Sequence, residues 1–95
     1  MTLEKVLNSI DQVWHPEINY SLLKLGIVKD IKLMRKTVSV TFVFPFAHIP
    51  IAEEMIRLVE DHIEQLGLDF EYDTRLMNDE ERSLFLKLEA EARKE

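Results

Sequence analysis

His15-Pro16-Glu17-Ile18-Asn19-Tyr20-Ser21-Leu22-Leu23-Lys24-Leu25-Gly26-Ile27-Val28 is the stretch on which the reading of this chain turns. Pro16 locks its own φ and drives His15 toward extended backbone, so a helix arriving from the N-terminus must stop before it. Gly26 accepts backbone angles that a side chain resists, which suits a compact turn leading into a strand. The stretch reads as the break between an amphipathic helix and a strand pair.

Upstream, Leu3, Val6, Leu7, Ile10 and Val13 or Trp14 form one stripe at helical spacing. They predict a first helix over about Leu3 to Val13, with Thr2 as its N-cap. Downstream, Ile27 to Met34 reads as a strand with Ile27, Ile31 and Leu33 on one face and Lys32 on the other. Thr37 to Phe44 is the clearest strand, because Val38, Val40, Phe42 and Phe44 alternate with Thr37, Ser39 and Thr41. The intervening Arg35-Lys36 turn contains no Gly or Asn that would announce its type.

A second helix follows. Pro50 suits its first turn, where a missing N–H costs nothing. Ala52, Met55, Ile56, Val59, Ile63 and Leu66 supply a wide apolar face, and Gly67 suits the C-terminal cap. Leu68, Phe70 and Tyr72 alternate with Asp69, Glu71 and Asp73, the pattern of a half-exposed strand whose charged face discourages edge pairing. Asn78 with Glu81 has the spacing of a capping box for a third helix carrying Leu84, Phe85 and Leu88 on one face. From Glu89 onward the chain is highly charged and is expected to fray. The predicted class is α+β: a small mixed sheet of about three strands covered by helices, in the order α-β-β-α-β-α. Residues 1–95 read as a single domain, with a C-terminal helix and charged tail over 78–95.

Composition narrows the functions open to such a domain. Apolar residues make up 46% and charged residues 32%, as expected of a globular chain rather than a disordered one. The net charge of −6 argues against a broad nucleic-acid footprint. Lys29, Lys32, Arg35 and Lys36 read as a solvated strand face and turn. No apolar run is long enough to span a membrane and no secretory leader pattern opens the chain, so a cytoplasmic location is expected. With no Cys, the chain offers no disulfide, thiolate nucleophile or thiolate cluster ligand.

Catalytic patterns are equally absent. There is no glycine-rich phosphate loop, no serine nucleophile elbow and no His-Glu-x-x-His pattern. His62 lies between core positions of the second helix and reads as a boundary residue. Asp79, Glu80 and Glu81 complement the dipole of the third helix without any active site. The expectation is a protein that is not an enzyme.

The order of parts resembles the metal–sulfur cluster assembly domain family, which includes stand-alone iron–sulfur maturation factors and the N-terminal domain of Mrp-type ATPases. The matching residues are Pro16, Glu17, Leu25, Gly26, Ile27 and Val28, with His15 where the family has Asp. The similarity covers about residues 3–75. At the family's second loop this chain has Phe44-Pro45-Phe46-Ala47-His48-Ile49-Pro50-Ile51, and Ile49 lies where a loop Cys often falls. The resemblance implies a non-enzymatic adaptor in iron–sulfur cluster assembly or delivery. Such an adaptor would bind a cluster carrier or apo-client protein through His15, Pro16, Glu17, Phe46, His48 and Ile49. It would bind neither nucleic acid nor membrane, and the isolated chain would hold no cofactor stably. Homo-oligomerisation stays open.

In that family fold the two loops lie near each other. His15, Glu17 and His48 are therefore also candidate ligands for a divalent metal, which would make the chain a metal-binding protein or small metal-dependent enzyme. Ile49 in the Cys position favours a third reading, an interaction domain unconnected to iron–sulfur chemistry. Trp14, Tyr20, Phe46 and Ile49 would form a docking patch if exposed, although Trp and Phe of this kind are by type expected in the interior.

Overall fold

The fold was taken from a computed structural model that describes residues 1–92. The chain runs α1 (Leu3–Ile10), β1 (Val28–Met34), β2 (Thr37–Phe44), α2 (Ala52–Gln65), β3 (Asp69–Leu76) and α3 (Asp79–Glu91). Among the described residues the strands form one sheet in the order β1-β2-β3, with β1 antiparallel and β3 parallel to β2. This is the α+β class and element order that the hydrophobic periodicity predicts.

The central strand explains the core. Val38, Val40 and Phe42 are essentially inaccessible to solvent, and α1 and α2 cover them through Val6, Ile10, Met55 and Val59. Ile56, expected in the same contact, is half-buried beside it. Removing such side chains from water stabilises the fold by roughly 2 kcal/mol each. Thr2 caps α1 by accepting the Lys5 N–H, and Gly67 closes α2 at φ +78°. There the Leu68 and Gly67 N–H groups donate to Ile63 and Glu64 carbonyls, a paired C-cap that only a left-handed residue allows without strain. Asn78 and Glu81 complete the expected capping box of α3.

Several boundaries differ from expectation. α1 ends at Ile10; Val13 is still buried, but from the turn that follows, and Trp14 is half-exposed. Pro50 precedes the helix boundary residue Ile51 instead of entering the first turn of α2. Leu84 faces solvent on α3 while Phe85 carries the burial. The fraying expected from Glu89 does not begin there: α3 continues to Glu91, and the Asn19 N–H donates to the Ala92 carbonyl at 2.8 Å. The rest of the expected tail, 93–95, lies outside the described residues.

β1 holds a bulge that the pattern did not disclose. Lys29 pairs with Thr41 but Lys32 pairs with Ser39, so one extra residue is accommodated between them, with Asp30 at φ +50°. The insertion lets Val28, opposite Phe42, and Leu33, opposite Val38, face the core although five positions separate them. Ile27, expected on that face, is instead buried just before the strand begins.

Candidate functional site

The segment between α1 and β1 is a tightly bonded loop. The Leu22 N–H donates to the Val13 carbonyl, and the His15 N–H to the Tyr20 carbonyl, so residues 13–22 close like a small hairpin. Ser21 then caps a single helical turn by accepting the Lys24 N–H, and Gly26 at φ +77° ends it. At the tip, His15 Nδ1 accepts the backbone N–H of Glu17 at 2.9 Å and of Ile18 at 3.1 Å. A nitrogen that accepts is not protonated, so the imidazole carries its proton on Nε2. His15 is 6% exposed and Ile18 is buried beneath it. The ring therefore does what an Asp side chain does in an Asx turn, satisfying donors two and three residues ahead. That gives a physical reason for a His at a position where Asp is otherwise expected.

The segment between β2 and α2 is held differently. Pro45 is buried, whereas Phe46, Ala47 and His48 are exposed. Arg82 of α3 braces this loop. Its Nε donates to the Pro45 carbonyl at 2.8 Å, its second guanidinium nitrogen reaches the Met77 carbonyl, and its third reaches Asp79. The same guanidinium lies 5.9 Å from the centre of the Phe46 ring, within cation–π range. His48 adopts φ +58°, a conformation that costs a non-glycine residue about 1 kcal/mol or more.

These two loops form the walls of one cleft of about 450 Å³. Ile18, Ile27, Met55 and Phe85 make an apolar floor, and all four are buried. His15 and Glu17 stand on one side, with Phe46, Ile49 and Pro50 on the other. Glu89 of α3 completes the rim. Phe46 is 52% exposed and Trp14 51%, so the interior positions expected from residue type do not hold for either.

Of the six residues singled out in the sequence, His15, Glu17, Phe46 and Ile49 meet at the cleft. Pro16 and His48 are not on its wall. The suggested metal set is corrected on geometry: His48 does not join His15 and Glu17, and His15 Nδ1 already serves two amides. Among the described residues no group of three or more His, Cys, Asp or Glu is placed to hold a metal ion. Arg82, Phe85 and Glu89 are the site residues that sequence reasoning missed. Phe85 was readable as a helix-stripe residue. Arg82 acts on a carbonyl 37 positions away, and no local pattern announces that.

Beside the cleft, α3 is fastened to the sheet by Glu81. Its carboxylate accepts two hydrogen bonds from Arg75 of β3 and one from Lys29 of β1, at 2.6–2.9 Å. Those bonds, Arg75 first, and the Asn78 N–H hold the Glu81 carboxyl well below the usual carboxylate range. His62 is half-buried, as expected, and its Nδ1 lies 2.9 Å from the Leu58 carbonyl.

Comparison with known proteins agrees with this architecture. Residues 3–71 match the model of a family described as iron–sulfur cluster assembly protein. Among solved structures, a domain of unknown function, DUF59, from Bacillus anthracis superposes with a TM-score of 0.71 at 17% identity, covering 90% of this chain and 89% of that one. At that identity the likeness concerns the fold alone. No curated protein matches the chain. Among the described residues no helix is long and apolar enough to cross a membrane.

Proposed function

The chain belongs to the iron–sulfur cluster assembly protein family, and on that footing we propose that it acts in cluster assembly or delivery as a non-enzymatic adaptor. A chain with no Cys supplies no thiolate to a cluster or to a persulfide, so its contribution is to hold another protein. The reading implies a cytoplasmic place of work, where carriers and apo-clients of iron–sulfur clusters meet.

The observation that carries this reading is the cleft shared by the two loops, with half-exposed Phe46 facing Glu17 across an apolar floor. A partly exposed aromatic ring over an apolar cavity is the kind of anchor that concentrates binding energy. The ring is braced rather than loose, because Arg82 holds the backbone beneath it. A cluster carrier or apo-client would seat a side chain on the floor and be oriented by Glu17.

Capture of partners by the tagged full chain in its own host tests the proposal. The wild-type chain should recover proteins of iron–sulfur cluster assembly, and the double variant Phe46→Ala/Glu17→Ala should lose them while melting within a few degrees of wild type. Retention of the partners by the double variant would reject the cleft as the docking site. Anaerobic reconstitution supplies a second arm: stoichiometric iron and sulfide left on the isolated chain after desalting would overturn the adaptor reading.

A further inference from the structure

The outer edge of β3, on a different surface from the cleft, carries an inference of its own. The Asp69 N–H donates to the Lys36 carbonyl at 2.7 Å and the Met77 N–H to the Phe44 carbonyl at 2.8 Å. In a parallel ladder a residue directs both of its backbone groups to the same neighbour, and the next residue directs both the other way. The register between β2 and β3 is unbroken over eight pairs. The odd residues Asp69, Glu71, Asp73 and Arg75 therefore spend their backbone groups on β2. Phe70, Tyr72, Thr74 and Leu76 direct theirs outward, where no further strand follows in the sheet among the described residues. The Leu76 carbonyl accepts from the Arg75 side chain at 3.3 Å.

The side chains sort with the same alternation. Tyr72 and Leu76, on the same side of the sheet as their β2 partners Val40 and Phe44, are 47% and 53% exposed. Tyr72 extends a ring cluster formed with Phe42 and Phe70. On the opposite side Asp69, Glu71 and Asp73 make a row of exposed carboxylates. Glu71 accepts a hydrogen bond from Ser39, and Arg75 at the end of the row is held by Glu81.

We propose that β3 accepts an extended segment of a partner protein as a fourth strand, one that alternates Lys or Arg with apolar residues. Main-chain bonds to Phe70, Tyr72 and Thr74 would supply attachment, and the two faces would supply the choice of sequence. The basic residues would lie beside the carboxylate row, and the apolar ones beside Tyr72 and Leu76. A second copy of this chain fits badly, because its own acidic row would lie across from this one and each chain carries a net charge of −6. The carboxylates that reject another copy thereby select a cationic strand.

The probe is a capped peptide of alternating Lys and Val, about eight residues long, titrated into the full chain with amide shifts and hydrogen exchange as readouts. Binding should slow exchange at Phe70, Tyr72 and Thr74, and should weaken as salt is raised from about 50 to about 500 mM. A Glu–Val peptide should not bind. Thr74→Pro removes an outward N–H without touching the β2 ladder and should weaken binding by about tenfold or more. If that variant fails to fold, Asp69→Asn/Glu71→Gln/Asp73→Asn should do the same to the Lys–Val peptide while keeping the Ser39 bond. Equal binding of both peptides, shifts confined to the cleft, or no binding would overturn the proposal. So would a β3-mediated dimer of the free chain that Thr74→Pro dissolves. The adaptor reading is tested separately, by partner capture with the Phe46→Ala/Glu17→Ala variant.

Discussion

The two walls of the cleft do the same job by opposite means. On one side His15 holds the turn from within, serving amides two and three positions away, and is itself buried. On the other side the Pro45–Pro50 loop has few internal ties and depends on Arg82, 37 positions off, for its backbone anchor. The first wall is held mainly by its own residues, with one backbone tie from the Asn19 N–H to the Ala92 carbonyl at the end of α3. The second takes its backbone anchor from the start of α3. The exposed recognition candidate, Phe46, lies on the side whose order is borrowed.

The contrast can be broken most directly at His15. Replacing it with Ala leaves two covered N–H groups without an acceptor and should cost roughly 3 kcal/mol, seen as a fall of more than about 10 °C in melting temperature. His15→Asp restores an acceptor of the right reach and should come back to within about 1 kcal/mol of wild type. If the Asp variant is as unstable as the Ala variant, the ring matters as packing and the first wall is not held as described. Arg82→Ala should cost less, about 1–2 kcal/mol, but should speed proteolytic cleavage between Phe46 and Ile49. Unchanged cleavage there would mean that the second wall holds itself.

Acid should weaken the docking of α3. The Glu81 carboxyl is held below its ordinary value of 4.5, so its contribution is complete above about pH 4.5 and is lost as pH falls further. In urea unfolding, Glu81→Gln should be less stable than wild type at pH 7, and the gap should narrow below about pH 4.5. A constant gap at every pH would remove Glu81 as the titrating link. The smallest effect is expected at His48. Glycine removes the cost of φ +58° but adds flexibility to the unfolded chain, so His48→Gly should be neutral or more stable by up to about 1 kcal/mol. A clear loss on that change would show that the imidazole itself holds the loop.

Most of the fold was legible because periodicity reports burial. The alternation of β2 marks its bounds at Thr37 and Phe44, and the Asn78–Glu81 spacing marks the start of α3. The same alternation misleads for β3. Phe70 is half-buried but Tyr72 is exposed, because nothing in a strand's own sequence says whether a helix will cover it. At the site, His15, Glu17 and Phe46 were readable from their loops, and the meeting of the loops follows from the family fold. The brace from Arg82 and the rim position of Glu89 were not, since both come from the docking of a helix whose end looked like a loose tail. His48 lies off the cleft wall in a left-handed conformation that no Gly or Asn in the sequence advertises.

The single extra residue around Asp30 has a further consequence for how this chain can change length. A strand buried on one face counts in twos, much as a reading frame counts in threes. Deleting Asp30 would leave Val28 and Leu33 four positions apart, and a regular ladder would then keep both on the core face without the bulge. Keeping the extra residue in a ladder without a bulge would instead put them on opposite faces, and one of them would have to leave the core opposite Phe42 or Val38. An insertion in the exposed Ala47–His48 segment would shift no such phase. Variants of this domain that differ in length should therefore carry their differences in that loop or at the bulge, where losing the extra residue leaves the facing of Val28 and Leu33 unchanged.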